Sequence, residues 1–200
     1  MGDNMNETQL KELLLQSLEH EKGGVKIYET ALKCTHNEDL RQEWERYHSE
    51  TETHVRILQD VFSALQLDPE EASAGREIIR GMGMSLVNAM ERALAAGDQA
   101  SAEIVACECV VIAETKDHLD WQLIGEAAKR LSGTEGEALK QAHEEVEEQE
   151  DEHLYHTKGW CRELWMEALG MPAVLPPPEE EKNVKTAIGA ARAEQSRRPH

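Results

Sequence analysis

The sequence predicts an all-α protein: a four-helix bundle with a long crossover, containing a short helix, between its second and third long helices. Three observations predict it. Aromatic residues make up only 4% of the 200 residues while Ala, Leu, Glu and Gln abound, a composition of helix formers. Three stretches carry seam residues at alternating four- and three-residue steps, the spacing that lines one face of a helix, and a fourth long stretch has a marked inner side. Strong stop signals, built from Gly, Pro, Asn and Asp, separate those stretches. A net charge of −19 and a pI near 4.8 exclude a nucleic-acid partner, which needs a basic face. No run approaches 18 apolar residues, and Met1-Gly2-Asp3-Asn4 is neither basic nor apolar, so a soluble, cytoplasmic chain with no membrane partner is expected. Cys34, Cys107, Cys109 and Cys161 form no Cys-x-x-Cys pair and are expected to be reduced, small hydrophobic residues.

The first long helix opens at Asn6-Glu7-Thr8-Gln9, an N-cap with Gln at N3 as in a capping box. Its seam is Leu10, Leu14, Ser17, Glu21, Gly24, Tyr28, Ala31 and Thr35. Glu21 falls on this core stripe between small residues, where a buried carboxylate needs a partner. Thr35-His36-Asn37 breaks the helix, and Asn37 or Asp39 can cap the second. The second seam runs Leu40, Trp44, Tyr47, Thr51, His54, Leu58, Val61 and Leu65. It turns His54 toward the core, with Glu50 one turn earlier at the seam's edge; the Glu45/His48 pair lies off it. Asp68-Pro69 stops and restarts the chain. Residues 69 to 97, punctuated by Gly75, Gly81 and Gly83, form the crossover and end in a short helix through Leu86, Met90 and Leu94.

Asp98 caps the third long helix, which runs to about Leu131 with Ile104, Val111, His118, Trp121 and Gln122 marking its inner side. Glu114-Thr115-Lys116-Asp117-His118 repeats the Glu-Thr-x-x-His of Glu50 to His54, by internal duplication or by coincidence, and Glu108 is a lesser alternative. Ser132-Gly133-Thr134 forms the next turn, with Thr134 and Glu137 as a second capping box. The fourth seam is Leu139, His143, Val146, Glu150, His153, Thr157, Trp160 and Leu164, so Glu150 and His153 share an inward face one turn apart. Gly170-Met171-Pro172 ends it. Residues 1–171 are expected to form the bundle and 172–200 a Pro-rich, mobile tail.

The polar seam residues also agree in depth. Glu21 lies about 15 residues before the turn at His36, and Glu50 and His54 about 14 to 18 after it. Glu114 lies about 19 residues before Gly133, and Glu150 and His153 about 17 to 20 after. At about 1.5 Å per residue, each hairpin brings its acids and imidazole to one level within a few ångströms. Carboxylates with imidazoles suit iron or manganese better than structural zinc.

On these residues the chain resembles the ferritin-like superfamily, closest to rubrerythrin-type and stress-associated ferritin-like bundles, over about residues 7 to 169. The resemblance rests on Glu21 with Tyr28 seven residues on, Glu50/His54, Glu114, and Glu150/His153. It implies a dinuclear iron site, less often manganese, that reacts with dioxygen or peroxide. Glu21 and Glu114 would be single-Glu ligands, Glu150 and His153 the Glu-x-x-His of the last helix, and Glu50 and His54 its counterpart, with His118 a seventh ligand or a supporting group. No catalytic residue beyond the ligands is implied, and Tyr28 or Tyr47 is either a nearby proton or electron donor or ordinary core. Thr51 departs from the pattern by occupying the Glu position of a strict Glu-x-x-His, and the chain has no Cys-x-x-Cys electron-transfer module. The expected function is ferroxidase or peroxide-detoxifying chemistry. The alternative is a non-catalytic helical bundle or cargo protein with a vestigial site, in which the tail is a docking peptide. A homo-oligomer is expected.

Overall fold

The structure, a computed structural model, describes residues 5–178. Among them are five helices and no strand: α1 (Glu7–Cys34), α2 (Glu38–Ala64), α3 (Ala74–Ala95), α4 (Gln99–Ala128) and α5 (Gly133–Ala168). Helix α1 packs on α2 and α4, and α5 packs on the same two, so the four long helices close a ring. Helix α3 lies outside that ring, across α1 and α4. Among the described residues no helix is long and apolar enough to cross a membrane.

The helices start where the capping chemistry places them. The Asn6 side chain accepts the N–H of Gln9, Asn37 accepts those of Asp39 and Leu40, and Ser73 accepts that of Arg76. Each such cap is worth about 1 kcal/mol. Helix α5 begins at Gly133 after Ser132, slightly before the expected Thr134 box, and has no side-chain cap bond.

The crossover helix is longer than the sequence predicts. Instead of a short helix through Leu86 to Leu94, all 22 residues of Ala74–Ala95 are helical, glycines included. Those glycines serve contact with α1 rather than helix breaking. A Cβ on Gly75 would collide with the side chains of Glu12 and Gln16, and one on Gly83 would touch the Cα of Gly23. A buried ion pair pins the same face: the Glu19 carboxylate accepts Arg76 Nε at 2.8 Å and Arg80 Nε at 2.7 Å. Arg76 also donates to the carbonyls of Pro69 and Glu71. Burial raises the Glu19 pKa, but the two guanidiniums outweigh it and hold the carboxyl below its usual range.

Helix α4 is rotated relative to the expected seam. Ile104 and Trp121 are buried as predicted, but Val111 and His118 are only half-buried and Gln122 is exposed. The buried face instead runs through Ala106, Val110, Ala113, Glu114, Asp117, Asp120, Trp121 and Ile124. Three helices (α1, α3 and α5) pack on α4, and four of its acids are buried, so its apolar pattern does not mark one face.

Two apolar clusters fill the ring. One gathers Ile27, Tyr28, Trp44, Tyr47, Val110 and Trp160; the other gathers Leu14, Leu18, Leu58, Phe62, Trp121 and Val146. Each fully buried large apolar side chain contributes about 1.5–3 kcal/mol. These clusters carry the stability of a core whose middle layer is polar. Beyond Gly170, whose φ of +71° ends α5, the chain does not leave the bundle at once. Val174 N–H donates to Glu163 Oε2 at 2.8 Å, Leu175 packs on the first cluster and Pro177 is buried. The basic end of the tail and its docking role lie outside the described residues.

Candidate metal centre

Between the two clusters every long helix turns polar residues inward: Glu21 from α1, Thr51 and His54 from α2, Glu114 and Asp117 from α4, Glu150 and His153 from α5. All are buried. Seam spacing sets the direction of each side chain, and the hairpin lengths set their common depth.

Two groups of donor atoms form in this layer. Glu21, His54 and Glu150 bring one ligand atom each within 4.8 Å of one another, and so do Glu114, Glu150 and His153. Glu150 belongs to both. His54 Nδ1 lies 3.0 Å from Glu150 Oε1 and 3.5 Å from Glu21 Oε1. His153 Nδ1 lies 3.7 Å from Glu150 Oε1 and 3.7 Å from Glu114 Oε2. None of these approaches has the geometry of a hydrogen bond. Both Glu150 oxygens, Glu21 Oε2, Glu114 Oε2 and the Nδ1 atoms of His54 and His153 are buried without a hydrogen-bond partner. An orphaned buried polar atom costs about 1–3 kcal/mol, so six together in one layer are a concentrated unmet demand for partners.

Outward-facing contacts obey an approximate twofold relation between the α1–α2 and α4–α5 hairpins. Tyr28, seven residues after Glu21, donates to Glu114 Oε1 at 2.7 Å; Trp121, seven after Glu114, donates through Nε1 to Glu21 Oε1 at 2.7 Å. His153 Nε2 meets Glu50 Oε2 at 2.8 Å, and His54 Nε2 meets Gln149 Oε1 at 2.7 Å. Each half thus orients the other half's acid and imidazole. The outer Nε2 contacts leave each Nδ1 facing the layer. The relation breaks at two related positions. Where α5 has Glu150, α2 has Thr51, whose hydroxyl donates to the Tyr47 carbonyl; where α4 has Asp117, α1 has Gly24, packed on the Thr51 methyl. One half is acidic there and the other is small.

Charge in the layer is balanced by protons. Burial and the Glu114 charge push Glu150 up to about 7, and burial with Glu150, Glu21 and Glu114 pushes Asp117 well above the usual carboxylate range. Burial lowers both imidazoles, but the surrounding carboxylates outweigh it, holding His54 well above its ordinary value and His153 at about 9. Burial raises Glu114 too, yet contacts with His153 and Tyr28 bring it below its usual value. A divalent cation brought to these donors would compete directly with the protons.

Of the seven residues singled out in the sequence, five (Glu21, His54, Glu114, Glu150 and His153) converge in the layer. Glu50 and His118 do not belong to either donor group. Glu50 sits one residue off the buried seam, half-buried, paired with Arg46 and with the outer nitrogen of His153, which places it behind a candidate ligand. His118 turns toward Asp151 at 2.7 Å, because the α4 seam runs through Asp117 instead. The two Glu-Thr-x-x-His segments are therefore not equivalent: Glu50 and His54 correspond in space to Gln149 and His153. His48 lies 3.9 Å from Glu29, and Glu108 accepts from the partly exposed Trp165, both away from the layer. Asp117 and Gln149 are the residues the sequence reading missed. The available signals were Asp117 one turn after Glu114, and Gln149 preceding Glu150 as Glu50 precedes Thr51. The chain matches none of the protein-family models, curated proteins or solved structures with which it was compared.

Proposed function

We propose that the polar layer binds a pair of divalent metal ions, iron or manganese, and presents them to dioxygen or peroxide, in keeping with the ferritin-like resemblance. Glu21 and His54 would hold one ion, Glu114 and His153 the other, and Glu150 both. The observation that carries this reading is Glu150: a buried carboxylate common to both donor groups, with neither oxygen hydrogen-bonded. The donors are carboxylate oxygen and imidazole nitrogen, a set suited to iron and manganese. The four cysteines are placed elsewhere, three of them in the first apolar cluster and Cys161 against it. Such a pair, when bound, supplies electrons for reduction of an oxidant.

The chain's own residues have separable tasks. Trp121 and Tyr28 orient the two single carboxylates, while Gln149 and Glu50 orient the two imidazoles. The apolar clusters above and below exclude bulk water. Burial and the carboxylates around Asp117 disfavour its ionised form beside Glu150.

Metal analysis of protein purified from iron- or manganese-supplemented cells tests the reading. About two equivalents per chain are expected, and Glu150→Ala, which removes the shared donor, should lose most of both. Less than about half an equivalent in the wild type, unchanged in Glu150→Ala, overturns the proposal. A second reading, a partner-binding bundle whose acids and imidazoles only neutralise one another, draws on the close His54–Glu150 approach; it requires an unfolding temperature indifferent to divalent ions.

A further inference from the structure

We propose that Tyr47, with Glu43 as the acceptor of its proton, is the outlet through which oxidising equivalents leave the buried layer toward the α2–α5 surface. The inference rests on the metal-pair reading for the source of those equivalents and on a separate set of contacts for the route.

The Tyr47 ring lies against the His153 ring, with centroids 4.1 Å apart. Its hydroxyl donates to Glu43 Oε1. That carboxylate is nearly buried, yet it also meets His156 Nδ1 at 3.1 Å and accepts Trp160 Nε1 at 2.9 Å. Glu43 and His156 in turn line a cavity of about 420 Å³ shared with Asp39, Gln42, Arg46 and Glu152. A continuous path therefore runs from an imidazole of the layer, through a phenol and a carboxylate, to a surface cavity.

Removal of an electron from a phenol makes its proton strongly acidic, so a redox tyrosine needs a base within hydrogen-bond reach. The Arg46 guanidinium, 4.7 Å from the Tyr47 ring centroid, further disfavours a cationic ring and favours loss of the proton with the electron. Tyr28 is placed differently. Both rings are fully buried, but the Tyr28 hydroxyl points at Glu114, inside the layer, so its proton has no comparable way out. The two rings lie 6.2 Å apart. Tyr28 can pass an electron on, but Tyr47 is where the proton leaves.

The step is balanced with a peroxide as oxidant. Tyr47 gives up one electron, its O–H proton moves to Glu43, and a neutral phenoxyl remains. A ferrous ion in solution, drawn by Asp39, Glu43 and Glu152 at the cavity, gives one electron and becomes ferric, and that electron with the proton held on Glu43 restores the phenol. Reduction of one peroxide to two waters breaks the O–O bond and consumes two electrons and two protons, so Tyr47 cycles twice while solvent supplies the consumed protons.

The test uses metal-free protein, so it stands apart from metal binding. Azidyl radicals generated by pulse radiolysis oxidise surface Trp and Tyr side chains, and the optical phenoxyl band reports where the oxidation settles. The chain has three tyrosines, so Tyr155→Phe serves as the parent to silence the remaining one. A long-lived phenoxyl band is expected in that parent, retained when Tyr28→Phe is added and lost when Tyr47→Phe is added. Glu43→Gln keeps an acceptor oxygen but cannot take the proton, and should also lose the long-lived band. Near-ultraviolet circular dichroism confirms that each variant is folded. A band that survives Tyr47→Phe or Glu43→Gln, or disappears with Tyr28→Phe, or is missing from the folded parent, overturns the proposal. Metal content, measured separately, decides the metal-pair reading.

Discussion

Glu150→Gln should make the metal-free protein more stable at alkaline pH while abolishing its stabilisation by metal. Glu150 has a folded-state pKa of about 7 against an ordinary 4.5, because burial and the Glu114 charge disfavour its ionised form. A carboxyl with a raised pKa binds more protons in the folded than in the unfolded state between those two values. Stability therefore falls as pH rises from about 4.5 to 7 and stays reduced above it. The gap sets a ceiling of about 3 kcal/mol at roughly 1.4 kcal/mol per pH unit. That net value already includes the favourable contacts with His54 and His153, so a gain of about 1–3 kcal/mol is expected from the neutral amide at pH 8 once its looser fit is allowed for. In a chain of this length that is a rise of roughly 3–10 °C in unfolding temperature. Thermal unfolding of chelator-treated protein at pH 5 and pH 8 measures it, with manganese added back in a parallel series. At pH 5 the folded wild-type carboxyl is already protonated and the difference should shrink to less than about 1 kcal/mol. A variant less stable than wild type at pH 8, or a gain equal at both pH values, refutes the electrostatic account of the layer.

Trp121→Phe and Tyr28→Phe each remove the donor that one half of the bundle supplies to the other half's acid. A loss of about 1–3 kcal/mol is expected for Tyr28→Phe in denaturant unfolding of metal-free protein and a larger one for Trp121→Phe, whose smaller ring also leaves a cavity in the second cluster; an unchanged stability in either variant would count against these donors as orienting contacts. Arg76→Ala should cost about 3 kcal/mol or more, because it strips a buried guanidinium from Glu19 and from two backbone carbonyls. The Glu19 carboxyl lies below its usual range, so the stability it contributes is present above the unfolded pKa and lost as pH falls through the folded one. Arg76→Ala should therefore flatten the acid limb of a stability–pH curve, and an unchanged limb would exclude that pairing as its cause.

The all-helical class, the positions of the long helices and five of the layer's donors were legible because helix periodicity is local. Glu21, His54, Glu150 and His153 fall on stripes of otherwise apolar or small residues, and a charge on such a stripe stands out. Glu114 stands out through the Glu-Thr-x-x-His it shares with Glu50 to His54 and through its depth in the hairpin. Helix α4 shows where this reasoning stops: with neighbours on three sides and Glu103, Glu114, Asp117 and Asp120 all buried, its composition carries no single inward face. That is why His118 was read as inward and Asp117 passed over. Gly75 and Gly83 were read as breakers because a sequence does not show what their missing side chains would strike.

The sequence by itself therefore determined the helices, their seams and the level at which polar side chains meet, since backbone hydrogen bonding and residue spacing act within one chain segment. Only the tertiary structure decided which atoms face each other across that level. It made Glu150 common to two donor groups, put Glu50 behind His153, and set Thr51 and Gly24 opposite the acidic pair Glu150 and Asp117. Those relations depend on the rotation of each helix against its neighbours, and packing of the two apolar clusters sets that rotation.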